Sequence, residues 1–137
     1  MAKTAVVYWS GTGNTEAMAK AIAQAAGADL FTAAAFQAEQ LSDYQAIAFG
    51  CPSMGSEELE DSEFQPMFDA CKPLLGGRKL ALFGSYGWGD GEWMRSWEEE
   101  CKGLGAVLLA DGLILNGTPD SAGLAQCKAL GETLAQA

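Results

Sequence analysis

No histidine occurs anywhere in the 137 residues, and that absence removes a large share of enzyme chemistry. The usual general base, most nucleophile–base pairs and the commonest metal ligand are missing with it. Cysteine is sparse: Cys51, Cys71, Cys101 and Cys127 are widely spaced and form no C-x-x-C pair. Free thiols in a reducing compartment fit that spacing better than a zinc or iron–sulfur centre. No catalytic residue and no metal ligand is therefore assigned. Positive charge is also scarce, with 8 Lys and Arg against 18 Asp and Glu and a net charge of −10. That balance argues against nucleic acid and anionic membranes as partners. No apolar run approaches the length of a bilayer span, and the N-terminus lacks the basic and apolar regions of a signal peptide. A cytoplasmic protein is expected. No linker, repeat or low-complexity tract interrupts the chain, so residues 1–137 read as one domain large enough for a real core.

Apolar periodicity then gives the elements. Thr4 to Trp9 is short, β-branched and apolar, the pattern of a buried strand. Met18, Ala21, Ile22 and Ala25 recur on one helical face, with Gly27 placed to end the helix. Leu30 to Thr32 is a second strand and Phe36 to Tyr44 a short helix or turn-rich link. Ala46 to Gly50 is the third strand, followed by a polar loop from Cys51 to Ser62. Phe64, Met67, Phe68, Cys71 and Leu75 mark a helix closed by Gly76-Gly77. Leu80 to Gly84 is the fourth strand, and Trp93, Trp97, Cys101 and Leu104 the buried face of the next helix. Ala106 to Leu109 and Leu113 to Leu115 read as one fifth strand broken at Asp111-Gly112. Pro119 suits the first turn of a last helix that carries Leu124, Cys127, Leu130 and Leu134 inward. Five strands alternating with helices imply a doubly wound parallel α/β sheet in the order 2-1-3-4-5. In that order strands 1, 3 and 4 are neighbours, and their three following loops are the unusual ones of this chain.

The first of those loops is Ser10-Gly11-Thr12-Gly13-Asn14-Thr15. Small and hydroxylated residues between a strand and a helix form a nest of N–H and O–H donors, suited to a phosphate. The loop has no Lys or Arg and does not match G-x-x-x-x-G-K-[ST]. Gly11-Thr12-Gly13-Asn14-Thr15-Glu16 also lacks the third glycine of the dinucleotide fingerprint. The loop after strand 3 holds Met54-Gly55-Ser56-Glu57-Glu58, and the loop after strand 4 sets Trp88 among glycines. Read singly, Trp88 serves equally well as an interface or core residue, Met54 as a gap-filler and the glycines as turns. Taken jointly, a thioether and an indole beside a phosphate nest favour a phosphorylated planar cofactor.

These three segments, with Cys51-Pro52-Ser53 before Met54 and Gly84-Ser85-Tyr86 before Gly87, resemble the flavodoxins, and most of all the short-chain clostridial and Megasphaera-type members. The resemblance implies a flavodoxin-like fold and a non-catalytic, low-potential one-electron carrier with non-covalently bound FMN. It places the FMN phosphate on Ser10, Thr12, Gly13, Asn14 and Thr15, with Ser85 adjoining. It sets Met54 on the inner face of the isoalloxazine and Trp88 on the outer, and gives Glu57 the flavin N3–H. Gly87 and Trp88 offer backbone N–H groups near the N1/O2 edge, and Gly89 is a further cofactor-binding position. The carbonyl matching Gly55 turns toward N5 when the ring gains a proton and an electron. Two positions depart from the family pattern: Ser56 stands where an acidic residue is frequent, and Pro52 replaces a hydroxyl that some relatives place near the phosphate. Asn116-Gly117-Thr118 is left without a role.

The acidic residues Glu57, Glu58, Glu60, Asp61 and Glu63, with Asp90 and Glu92, crowd the exposed ring edge. They imply redox partners with basic docking faces, such as reductases, oxidoreductases or hydrogenase-type enzymes, met by a monomer. Two rivals share the architecture. A flavin-dependent quinone or NAD(P)H oxidoreductase needs a second substrate pocket for which no segment is evident. A receiver domain needs an Asp after strand 3 and a Lys after strand 5, where Gly50-Cys51 and Asn116-Gly117 stand instead.

Overall fold

The computed structural model describes residues 3–55 and 57–137. β1 (Thr4–Tyr8) lies at the centre with β3 (Ala46–Gly50), and all five positions of each are buried. A strand covered on both faces must be apolar throughout rather than alternating, which is how both segments read. β2 (Asp29–Thr32) pairs with the outer edge of β1, and β4 (Lys79–Tyr86) with the edge of β3 that faces away from β1. The order is β2-β1-β3-β4-β5, every pairing parallel. The fifth position is split: β5 (Val107–Leu108) pairs with the first half of β4 and β6 (Leu113–Asn116) with the second half. The break at Asp111-Gly112 is thus real. β4 runs two residues past the expected Gly84 because Ser85 and Tyr86 find partners in Leu115 and Asn116.

Side-chain alternation along β1 divides the core. Ala5 and Val7 join Phe49, Phe64, Phe68, Trp93 and Trp97 on the face covered by α2 (Phe64–Cys71) and α3 (Glu92–Gly103). Phe64 and Trp97 meet edge to face at 5.4 Å, a preferred aromatic geometry. Val6 and Tyr8 join Met18, Ile22, Cys127, Leu130 and Leu134 on the opposite face, under α1 (Asn14–Ala26) and α4 (Ser121–Ala135). These two helices approach closely at Gly131, where a Cβ would lie 2.5 Å from the Ile22 carbonyl oxygen.

Two expectations for α4 are corrected. Its N-cap is Asp120, whose carboxylate accepts from the Gly123 N–H at 2.7 Å, so Pro119 precedes the helix instead of opening it. Leu124 is exposed. The buried stripe runs through Gly123, Cys127, Leu130, Gly131 and Leu134, and Leu124 sits one position off it. The link before β3 is two 3₁₀ segments, Ala33–Ala35 and Ala38–Asp43. The carboxyl ends of β1, β3 and β4 are adjacent, which brings the three loops to one rim.

Candidate functional site

The loop after β1 folds on its own hydroxyls. Ser10 Oγ accepts from the backbone N–H of Gly13 at 3.1 Å and of Glu16 at 3.2 Å. Gly13, with φ 97°, turns the chain into α1 and offers no side-chain cap. Asn14 N–H reaches Thr12 Oγ1 at 3.5 Å, and a helix start whose N–H groups lean on loop hydroxyls suits an anion able to take over those donors. Thr15 is buried, and its hydroxyl bonds that of Ser85 at 2.7 Å, fixing the first turn of α1 to the end of β4.

The loop after β3 is pinned at its base. Cys51 donates its N–H to the Phe83 carbonyl at 3.1 Å and Ser53 to that of Ser85 at 3.0 Å, extending the ladder beyond β3. The Trp93 indole N–H donates to the Cys51 carbonyl at 3.2 Å. Cys51 Sγ accepts from the Glu60 N–H at 3.2 Å. Burial first, and the nearby Glu60 carboxylate, push the Cys51 thiol up to about 12, although the Glu60 N–H favours the thiolate.

Glu60 departs from the expectation that it belongs to the solvent-facing acidic rim. It is buried and caps the start of α2, accepting from the N–H of Ser62, Glu63 and Phe64 and from the Ser62 hydroxyl. Burial alone would raise its pKa; the four donors outweigh burial and hold it below the ordinary carboxylate value. Glu63 stays exposed, as expected, and accepts from the Trp9 indole N–H at 2.9 Å.

Between these anchors, Met54 and Glu58 close a tight turn, with Met54 N–H on the Glu58 carbonyl at 2.9 Å and Glu57 N–H on the Met54 carbonyl at 2.6 Å. Glu57 has φ 54°, the one positive value outside glycine among the described residues. Its Oε1 is buried and has no hydrogen-bond partner among them. Across from it, the loop after β4 carries Trp88, which is 62% exposed. Arg95 braces this loop, donating to the Asp90 carbonyl at 3.0 Å and carboxylate at 3.1 Å. Carboxylate oxygens of Glu57, Asp90 and Glu92 lie within 4.8 Å of one another.

A cleft of about 240 Å³ joins the three loops, lined by Thr12, Asn14, Met54, Ser85 and Gly87 among others. Ser10 and Gly13 line an adjoining hollow of about 370 Å³ on the other side of the first loop. Thr15 lies beneath the loop, Gly55 is at an exposed tip, and Trp88 and Gly89 stand exposed at the rim. Ser56 lies outside the described residues.

Six further residues line the cleft without having been assigned there: Gly11, Pro52 and Ser53 next to assigned positions, and Trp9, Tyr86 and Gly117. Trp9 walls both hollows; as the last apolar residue of its run it reads as strand, and only its place just before the loop hints at more. Tyr86 lines the cleft because β4 extends further than its apolar run. Gly117 adjoins it through its N–H on the Tyr86 carbonyl at 2.9 Å.

Comparison with known proteins agrees with this geometry. A family model described as Flavodoxin matches residues 6–131. A flavodoxin of Megasphaera elsdenii is 48% identical over 138 residues, covering 96% of this chain and 98% of that protein. One of Clostridium beijerinckii is 45% identical over 122 residues, covering 85% and 88% respectively. The solution structure of two-electron reduced Megasphaera elsdenii flavodoxin matches with a TM-score of 0.89 at 44% identity, over 98% of this chain and 99% of that one.

Proposed function

The chain belongs to the flavodoxin family, and on that premise we propose how its own residues hold the cofactor and which partners it meets. The protein is an FMN-binding electron carrier and not an enzyme. Bound FMN supplies the one-electron chemistry; the polypeptide supplies binding, orientation and electrostatics.

The single observation that carries the residue assignment is the unpartnered Glu57 Oε1. Glu57 itself lines a separate hollow with Trp93 and Trp97, but its turn partner Met54 lines the cleft shared with the neutral donor nest. A buried carboxylate oxygen without a donor is costly unless a ligand brings one, and the flavin N3–H is such a donor. Ser10, Thr12, Gly13 and Asn14 surround the phosphate, and Thr15 and Ser85 brace them from beneath. Met54 packs on the inner face of the ring and Trp88 covers the outer. The N–H groups of Gly87, Trp88 and Gly89 face its N1/O2 edge, and Gly55 holds the peptide next to N5. The whole of residues 1–137 acts as one FMN-binding domain.

Exposed Glu58, Asp61, Asp90 and Glu92 lie on the two loops that flank Trp88. They steer the basic faces of redox enzymes, including reductases, oxidoreductases and hydrogenase-type enzymes, into brief encounters at the ring edge. No helix of the described residues is long and apolar enough to cross a membrane; a cytoplasmic monomer suits a diffusing carrier.

The test is affinity of the apoprotein for FMN against riboflavin, followed by flavin fluorescence. FMN is expected to bind far more tightly, and Thr12→Val with Asn14→Ala to narrow the gap. Equal binding of the two flavins would remove the phosphate assignment.

A further inference from the structure

Glu57 and Gly89 come from different loops and face each other, both with left-handed backbones at φ 54° and 84°. A Cβ built on Gly89 would fall on the Glu57 carboxyl group: Oε1 is its nearest neighbour, with Cδ at 2.8 Å and Cγ at 3.5 Å. At Gly87, two residues away, a Cβ would meet nothing within 4 Å. The crowding therefore belongs to position 89 and is not general to the glycine-rich loop. Nor is the Glu57 carboxylate free to slide along that loop toward Asp90 and Glu92. The carboxylate oxygens of Asp90 and Glu92 already lie within 4.8 Å of its own, and closer approach would press like charges together.

We propose that the missing side chain at Gly89 is the seat of the Glu57 carboxylate, so that Gly89 is a positioning residue for flavin recognition, acting through Glu57 and apart from any contact of its own. This rests on the assignment of Glu57 to the flavin N3–H. A side chain at 89 would push the carboxylate off its seat with no change to the carboxylate itself.

The experiment compares Gly89→Asn and Glu57→Ala, singly and together. Asn tolerates a left-handed backbone better than most residues, so its side chain and not its φ is under test. Gly89→Asn is expected to weaken FMN binding by about tenfold or more, the scale of one charge-assisted hydrogen bond, and to cost nothing further in the Glu57→Ala protein. The midpoint potential of the bound flavin is expected to move the same way in both single variants and no further in the double. Additive losses in affinity, or opposite shifts in potential, overturn the proposal. In the apoprotein, where no flavin takes part, Gly89→Asn is expected to lower the melting temperature less in the Glu57→Ala background than beside the native Glu57. Should Gly89→Asn alone fail to fold, a cooperative melt regained in the double variant supports the seat, and failure in both overturns it. Loss of all FMN binding by the unaltered chain would remove the flavin assignment, while the apoprotein melts still decide whether Gly89 seats Glu57.

Discussion

Thr15 on α1 and Ser85 on β4 are 70 positions apart and share a buried hydroxyl–hydroxyl bond of 2.7 Å. It ties the helix that follows the first loop to the strand that carries the third. Ser85 also accepts, through its carbonyl, the Ser53 N–H of the second loop at 3.0 Å. One residue thus touches all three segments of the rim. These bonds hold the bases of the three loops together before a ligand arrives, which lowers the ordering cost of binding.

Ser85→Ala leaves the Thr15 hydroxyl unpaired at a site almost closed to solvent. The apoprotein is expected to lose about 1–3 kcal/mol, the cost of orphaning a buried polar group. The check is urea denaturation, with a lower midpoint at unchanged slope. Pairing Ser85→Ala with Thr15→Val removes both partners and is expected to cost less than the sum of the single changes.

Glu60 predicts a pH dependence. Its folded pKa lies below the ordinary 4.5, because hydrogen bonds from Ser62, Phe64 and Glu63 outweigh the burial that would raise it. The unfolded chain then binds this proton more readily than the folded one. The stability contributed by Glu60 is complete above about pH 4.5 and lost as pH falls through the lower folded value. Glu60→Gln presents an amide to backbone donors that need an acceptor. It is expected to cost about 1–3 kcal/mol at neutral pH and to flatten the decline in stability below pH 4.5. Equal acid slopes for the two proteins would remove Glu60 from the account.

Glu60 also marks where the sequence could be read and where it could not. Apolar runs placed β1 and β3 closely, since a strand buried on both faces leaves no other pattern. Motif spacing brought Thr12, Asn14, Met54, Ser85 and Gly87 to one cleft. Local composition, however, is blind to what a charged residue turns toward. Glu60 stands in an acidic run that reads as solvated, yet it is buried and caps α2, while its neighbour Glu63 stays exposed and still takes the Trp9 indole N–H. Leu124 failed for a different reason. Its helix stripe passes through Gly123 and Gly131, residues that close packing requires and a count of apolar positions discounts.

The thiols are expected to be silent in the folded protein. All four cysteines are buried, and burial before any other cause pushes Cys51 and Cys101 up to about 12 and Cys71 and Cys127 up to about 11. Since the thiolate is the reacting species, a disulfide reagent at pH 8 should label none of them until denaturant is added. Prompt reaction of any one before unfolding would show that its surroundings open locally.

Gly55 offers a change that separates the turn from the fold. It is exposed, its φ is not positive, and a Cβ there would meet nothing within 4 Å. Gly55→Val should therefore leave the unfolding midpoint of the apoprotein nearly unmoved and FMN still bound. A β-branched residue nevertheless resists a peptide that must turn over beside it. If the Gly55 carbonyl turns toward the flavin as the first electron arrives, that turn becomes costlier and the first one-electron midpoint falls. Each 59 mV of fall is about a tenfold loss in that equilibrium. The second midpoint serves as an internal control, because it compares two states that both follow the turn. A potentiometric titration in which the first midpoint stays put would show that the Gly55 peptide does not respond to the cofactor.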